Sequence, residues 1–147
     1  MILFFDSSAM IKRYIVEDGS PQVAVIGTSS NILVSPLTWS EVHATFARRL
    51  LDGLLDRPKY QELCEGFRTD WRYFGHVAPG SGVLRRIPRI TELYRLKGAD
   101  ALQCASALAI GGIEPMLFVC SDRRLKAAAA AEGLTVWDPA ETEAPGS

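Results

Sequence analysis

The stretch Ile2-Leu3-Phe4-Phe5-Asp6-Ser7-Ser8 decides how this chain is read. Four apolar residues in a row, with no polar alternation, describe a strand covered on both faces, as parallel strands are when helices flank the sheet. A carboxylate stands at the strand's exit, and the serines after it can cap a helix. The pattern returns late in the chain. Met116-Leu117-Phe118-Val119-Cys120 is apolar, Ser121 and Asp122 end it, and an Ala-rich helix follows with Gly133 as its stop.

Between these two units the chain keeps alternating. Ser20 and Pro21 open a short helix after the break at 17–19. Residues 31–35, NILVS, read as a second strand. Pro36 and Thr38 start a long helix to about Leu51, with Val42, Phe46 and Leu50 on one stripe. Residues 58–74 read as a helix with Tyr60, Leu63, Cys64 and Phe67 inward, and residues 75–80 as a short strand. A helical region runs to about Leu96, interrupted by Pro88 and ended by Gly98. Residues 99–110 are apolar almost all round, which marks a buried helix. Residues 134–137, LTVW, are a last short strand. The chain from Asp138 on is polar and reads as a poorly ordered tail, giving one domain over 1–138 and a tail over 139–147. Strands alternating with helices define an α/β fold, a three-layer α/β/α arrangement around a mostly parallel, twisted sheet. In such sheets ligands sit beyond the carboxyl ends of the strands, where Asp6 and Asp122 lie.

The totals narrow the class. A chain of 147 residues with 48% hydrophobic composition builds one sizeable core. Its net charge of −1 does not mark the whole molecule as a nucleic-acid binder. No apolar run reaches the ~20 residues of a membrane span. The opening MILFFDS has no basic segment or small-residue cleavage site, so no signal peptide is expected. Cys64, Cys104 and Cys120 lack metal-site spacing, and Cys104 and Cys120 read as small core residues of a reducing, cytoplasmic compartment. His43 and His76 lie far apart in sequence, so any metal here would be held by oxygen.

Two more acids join Asp6 and Asp122. Asp100 begins the most apolar helix, and Glu41 lies in the first turn of the helix after NILVSP. Each has a plain structural reading. Asp6 and Asp122 can be helix caps. Thr38-Trp39-Ser40-Glu41 fits a capping box, and Glu41 shares a stripe with Thr45, Arg48 and Asp52 that reads as solvated surface. Asp100 can favour a helix N-terminus by its charge. Together they read differently. Clustered carboxylates raise one another's pKa, and divalent cations such as Mg²⁺ or Mn²⁺ relieve that repulsion with oxygen ligands. Such a site activates water and stabilises the leaving oxygen of a phosphodiester.

In these segments the chain resembles the PIN-domain family, and within it the VapC-type ribonuclease toxins of bacterial toxin–antitoxin pairs. FFDSSAMIKRYIVEDGS, VSPLTWSEVHATFARR, YRLKGADALQCASAL and FVCSDRRLKAAAAAEG resemble the four family segments in order, over about residues 1–138. The resemblance places the family's acids at Asp6, Glu41, Asp100 and Asp122. It implies a metal-dependent endoribonuclease using Mg²⁺ or Mn²⁺, with all four acids catalytic and metal-holding and with Ser7 and Ser121 supporting them. It also implies transfer or ribosomal RNA as substrate, inhibition of translation, a homodimer, and a VapB-type antitoxin partner. Two positions depart from the family. Cys120 stands where Ser or Thr is frequent, with Ser121 beside it to take over that role, and Gln103 stands where His is frequent.

A neutral chain can still carry a basic face. Arg85 and Arg86, with Arg89, Arg95 and Lys97 following, and Arg123 and Arg124 just after Asp122, are candidates for the RNA backbone. Singly, each reads as a solvated helix residue. Trp71, Tyr73 and Phe74 read as packing residues. Three rival functions stand beside this one. An Asp-nucleophile phosphatase needs a second Asp where Ser8 stands. A phosphorylated receiver domain needs a late-strand lysine that TVWD lacks. A catalytically weak PIN-fold module that binds RNA or protein would keep metal affinity without cleaving RNA.

Overall fold

The computed structural model describes residues 1–26 and 31–145. Its centre is β1 (Ile2–Phe5), paired in parallel with β2 (Asn31–Val34) on one side and β4 (Met116–Val119) on the other. Outside these lie β3 (Gly75–His76) and β5 (Val136–Trp137), giving the order β3-β2-β1-β4-β5 with every pair parallel. The expected three-layer α/β fold is observed, and its sheet is parallel throughout.

Strand side chains alternate between two helical layers. Leu3, Phe5, Leu117 and Val119 pack with α1 (Ser7–Met10), α2 (Ser20–Ile26), α3 (Leu37–Leu51) and α4 (Arg57–Trp71). Phe4, Phe118 and Cys120 pack with α5 (Ser81–Leu84), α6 (Ile87–Tyr94), α7 (Gly98–Ile110) and α8 (Arg123–Ala131). The Phe4 and Phe118 rings stack with centroids 5.7 Å apart. On the other face Phe67 touches Tyr14, Trp39, His43 and Trp71, so the aromatic residues of α3 and α4 serve mainly as core.

Several boundaries differ from expectation for identifiable reasons. The helix after Asp6 tightens into a 3-10 turn over Ile11–Arg13 instead of running on to Tyr14. Pro88 does not interrupt a helix; it occupies the first turn of α6, where its missing N–H costs nothing, and the break comes before it. Gly98 starts α7 rather than closing the preceding helix, which ends instead at Arg95 in the left-handed region (φ 52°). The capping box at Thr38 is not formed. Pro36 is the N-cap of α3; Ser35 Oγ accepts the Leu37 N–H at 3.2 Å, and Thr38 is fully buried inside the helix.

The tail is the largest departure. Asp138 is buried, and the chain turns back over the sheet: Trp137 Nε1 donates to the Glu143 carbonyl at 3.1 Å, and Ala144 joins the core around Phe5 and Val23. A polar sequence hid this because the anchors are single residues that no local pattern marks: Trp137 and Ala144 by packing, and Asp138 and Glu141 by pairing with Lys126. Residues 146 and 147 of the expected tail lie outside the described residues.

Candidate functional site

Parallel register brings the strand exits level. Phe5 pairs with Val119, and the Asp6 N–H donates to the Val119 carbonyl at 3.1 Å, which sets Asp6 beside Cys120 at the carboxyl edge. Asp6 is the N-cap of α1: its Oδ1 accepts the Ala9 N–H at 3.1 Å. The Ser8 hydroxyl lies 2.7 and 2.9 Å from its two oxygens. The carboxyl is only 4% exposed, and burial raises its pKa to about 7 despite the donors of Ser8 and Ala9. The cap reading is observed, and the burial of the carboxyl goes beyond what a cap alone requires.

Asp122 is likewise the N-cap of α8, with Oδ1 accepting the Leu125 N–H at 2.8 Å. Asp100 lies in the first turn of α7, where the helix dipole favours an anion. Its pKa is raised, first by burial and then by the charges of Asp122 and Glu41, with Lys97 and Arg124 opposing. That mutual repulsion puts acids from three separate segments in one neighbourhood. Among the described residues no hydrogen bond engages the Asp100 carboxylate.

Glu41 is not on a plain solvated stripe. The Ser7 hydroxyl donates to its Oε1 at 2.6 Å, tying α3 to the exit of β1. Gln103, one turn beyond Asp100 on α7, reaches the same Oε1 at 3.3 Å, Ser7 Oγ at 3.1 Å and Thr38 Oγ1 at 2.9 Å through its Nε2. Ser7 therefore bonds directly to one of the expected acids. Ser121 does not: its hydroxyl turns to Asp138 Oδ1 at 2.7 Å, and only its N–H reaches the site, donating to Ser8 Oγ at 3.0 Å. Cys120 fills the place beneath with a buried thiol, its pKa raised by burial and then by Asp6. Sequence reading missed Ser8, Thr38 and the reach of Gln103. The repeated Ser7-Ser8 after a strand-exit Asp was the one local signal for the first.

Among the described residues, no three Asp, Glu, His or Cys side chains close into a ready-made cation cage. Oxygens of Asp6 and Asp122 are committed to helix caps, and Glu41 Oε1 to Ser7. The donor set still fits a hard divalent cation. It is all oxygen, and three of its acids, Asp100, Asp122 and Glu41, are close enough for two of them to raise the pKa of the third.

The arginines separate into two places. Arg123 and Arg124 line a cleft of about 560 Å³ together with Asp122, at the acidic edge. Arg85, Arg86 and Arg89 line another, about 440 Å³, with Leu108 and Glu132. Leu108 lies eight residues beyond Asp100 on α7, about 12 Å along the axis. The second group is thus at the far end of the helical layer, with Arg89 paired to Glu132 at 2.6 Å.

An all-parallel α/β domain with carboxylates at its strand exits is the PIN-type arrangement. Over 92% of its length the chain is 30% identical to Ribonuclease VapC45 of Mycobacterium tuberculosis strain CDC 1551, covering 94% of that protein. The same values hold for Ribonuclease VapC49 of strain H37Rv. The chain belongs to the VapC ribonuclease family. No protein-family model matches it. Its fold is similar to a solved FitAcB structure from Neisseria gonorrhoeae (TM-score 0.69, 17% identity, 97% of this chain and 100% of that one). It is also similar to VapBC2 from Rickettsia felis bound to a promoter DNA fragment (TM-score 0.65, 12% identity, 94% and 98%). Among the described residues no helix is long and apolar enough to cross a membrane.

Proposed function

We propose that this chain is a divalent-cation-dependent endoribonuclease, the toxin of a toxin–antitoxin pair, and that Asp6, Glu41, Asp100 and Asp122 form its centre. The observation that carries the reading is that Asp100, its pKa raised first by burial, is raised further by the nearby charges of Asp122 and Glu41, set beside the buried carboxyl of Asp6. Four acids gathered at one centre would be costly without a cation.

Asp6, Asp100 and Asp122 would hold Mg²⁺ or Mn²⁺, with Glu41 completing the set. A bound cation there supplies Lewis acidity toward the phosphodiester and lowers the pKa of water. The chain's own groups do the rest. The single Ser8 hydroxyl proton lies in reach of either oxygen of Asp6, and Ser7 donates to Glu41. Arg123 and Arg124, in the cleft with Asp122, meet the scissile region of the RNA backbone. Arg85 and Arg86 bind a more distant phosphate. Transfer or ribosomal RNA is the substrate class, and loss of either stops translation. A VapB-type antitoxin is the protein partner, consistent with the VapBC complexes of similar fold. A homodimer belongs to the same reading.

Hydrolysis by water needs no 2′-hydroxyl nucleophile. End-group mapping of the cleaved RNA should therefore find 5′-phosphate and 3′-hydroxyl termini, and a single 2′-deoxy substitution at the cut should be tolerated. Products ending in 2′,3′-cyclic phosphate would exclude this chemistry.

A further inference from the structure

Gln103 has a local arrangement that its place in a helix does not require. It is 1% exposed, lies three residues after Asp100 on the same face of α7, and spends its amide nitrogen entirely on the neighbourhood of Glu41. That nitrogen has two protons and three acceptors in reach. Thr38 Oγ1, nearest at 2.9 Å, takes one; Ser7 Oγ at 3.1 Å and Glu41 Oε1 at 3.3 Å share the other. The Gln103 carbonyl oxygen is buried with no partner.

The orientation of the amide follows from its surroundings. Turned over, the carbonyl oxygen would face the Glu41 carboxylate and the nitrogen would become a buried donor with no acceptor. As it stands, Nε2 donates to Ser7 Oγ, which leaves the Ser7 proton directed at Glu41 Oε1, 2.6 Å away. Oε1 is then held by two donors while no hydrogen bond among the described residues engages Oε2. Glu41 is one of the charges that Asp100 feels.

We infer that Gln103 is a positioning residue of the active centre: acting directly and through Ser7, it anchors one oxygen of Glu41 and leaves the other to face the acid cluster. This rests on the nuclease reading given above and assigns within it a residue that carries no charge and touches no substrate. A polar chain from Thr38 through Gln103 and Ser7 to Glu41 thus links α3, α7 and the exit of β1. A purely structural residue at a site this deeply buried would serve as well if apolar, because an isosteric Met keeps the volume and removes the unpaired carbonyl.

The test compares Gln103→Met, which cannot donate, with Gln103→His, which can, each also in a Glu41→Ala background. RNA cleavage and the Mn²⁺-induced rise in melting temperature are the two readouts. Gln103→Met should melt cooperatively, lose about 10- to 100-fold in kcat with KM for RNA within about threefold, and show a smaller Mn²⁺ shift. Gln103→His should recover part of both. In the Glu41→Ala background, Gln103→Met should change either readout by less than about twofold, because its effect passes through Glu41. Losses that add fully to those of Glu41→Ala, or a KM effect with kcat untouched, would overturn the assignment. If the wild type cleaves no RNA, the nuclease reading fails on its own account, and the Mn²⁺ melts of the same four variants still decide the role of Gln103.

Discussion

At the scale of single residues, Asp6 shows how a site and a stability cost coincide. Its carboxyl is buried, so its pKa in the folded chain is about 7 against an ordinary 3.8. A raised carboxyl pKa means the folded state binds the proton more tightly than the unfolded one. Without metal, Asp6 therefore destabilises the fold fully above pH 7, and the cost fades as pH falls toward 4. Asp6→Asn removes the charge while an amide oxygen can still accept the Ala9 N–H as a cap. At pH 8 in EDTA this variant should melt higher than wild type by on the order of a few degrees. Mn²⁺ should raise the melting temperature of wild type and leave the variant nearly unchanged. An ion-free Asp6→Asn that melts lower would show that the buried charge is not the cost described. Asp6 was legible from its place at the end of an apolar run. Ser8 was not, because its partners Asp6 and the Ser121 N–H meet only once β1 and β4 are paired.

At the scale of elements, the start of α8 combines a structural duty with an electrostatic one. Asp122 caps α8 and also raises the pKa of Asp100. Asn preserves a cap and Ala does not. Asp122→Asn should keep near-wild-type stability, Asp122→Ala should lose about 1 kcal/mol in denaturant titration, and both should lose RNA cleavage. Equal stability in the two variants would mean that the cap contributes nothing. The start of α3 shows where local patterns mislead. Thr38 to Glu41 has the letters of a capping box, but Ser35 satisfies the Leu37 N–H one step earlier, which frees Thr38 to accept from Gln103 and Glu41 to accept from Ser7. Those partners lie 65 and 34 residues away in sequence, beyond any local motif. The resemblance to the family placed Glu41 in the site; the helical stripe alone placed it in solvent.

At the scale of the whole molecule, the alternation of short apolar strands with helices made the layered parallel sheet legible, since each strand is too apolar to face water. The returning C-terminal segment was not legible, because its polar letters conceal where it docks. Gly19, at φ +91°, sits where an added Cβ would come within 2.6 Å of the Pro139 backbone. Gly19→Ala should accordingly destabilise the chain, through strained backbone and through displacement of that segment. Lys126 and Asp138 tie the same region at 2.5 Å. Burial opposes the Asp138 charge, but Lys126, Ser121 and the Ala140 N–H together hold its pKa below the ordinary value. A lowered carboxyl pKa contributes stability above its unfolded value that is lost as pH falls through the folded one. Wild type should therefore lose more stability than Asp138→Asn on acidification below pH 4. The basic groups also act at this scale. Charge reversal at Arg123 and Arg124 should weaken RNA binding and flatten its salt dependence by about one unit of slope per lost phosphate contact. The same change at Arg85 and Arg86, which line the separate cleft beside Leu108 and Glu132, should weaken binding while sparing kcat.

If acids from four segments of the chain make one cation-dependent RNA-cleaving centre, cleavage of total cellular RNA by purified protein freed of any antitoxin, in Mg²⁺ or Mn²⁺ and in EDTA, beside a folded Asp100→Asn variant, will show it. Wild type should give discrete fragments with metal and none in EDTA, and Asp100→Asn should lose at least about 100-fold, on the order of removing one essential metal-site group. Cleavage that persists in EDTA, or that survives the loss of Asp100, would contradict such a centre.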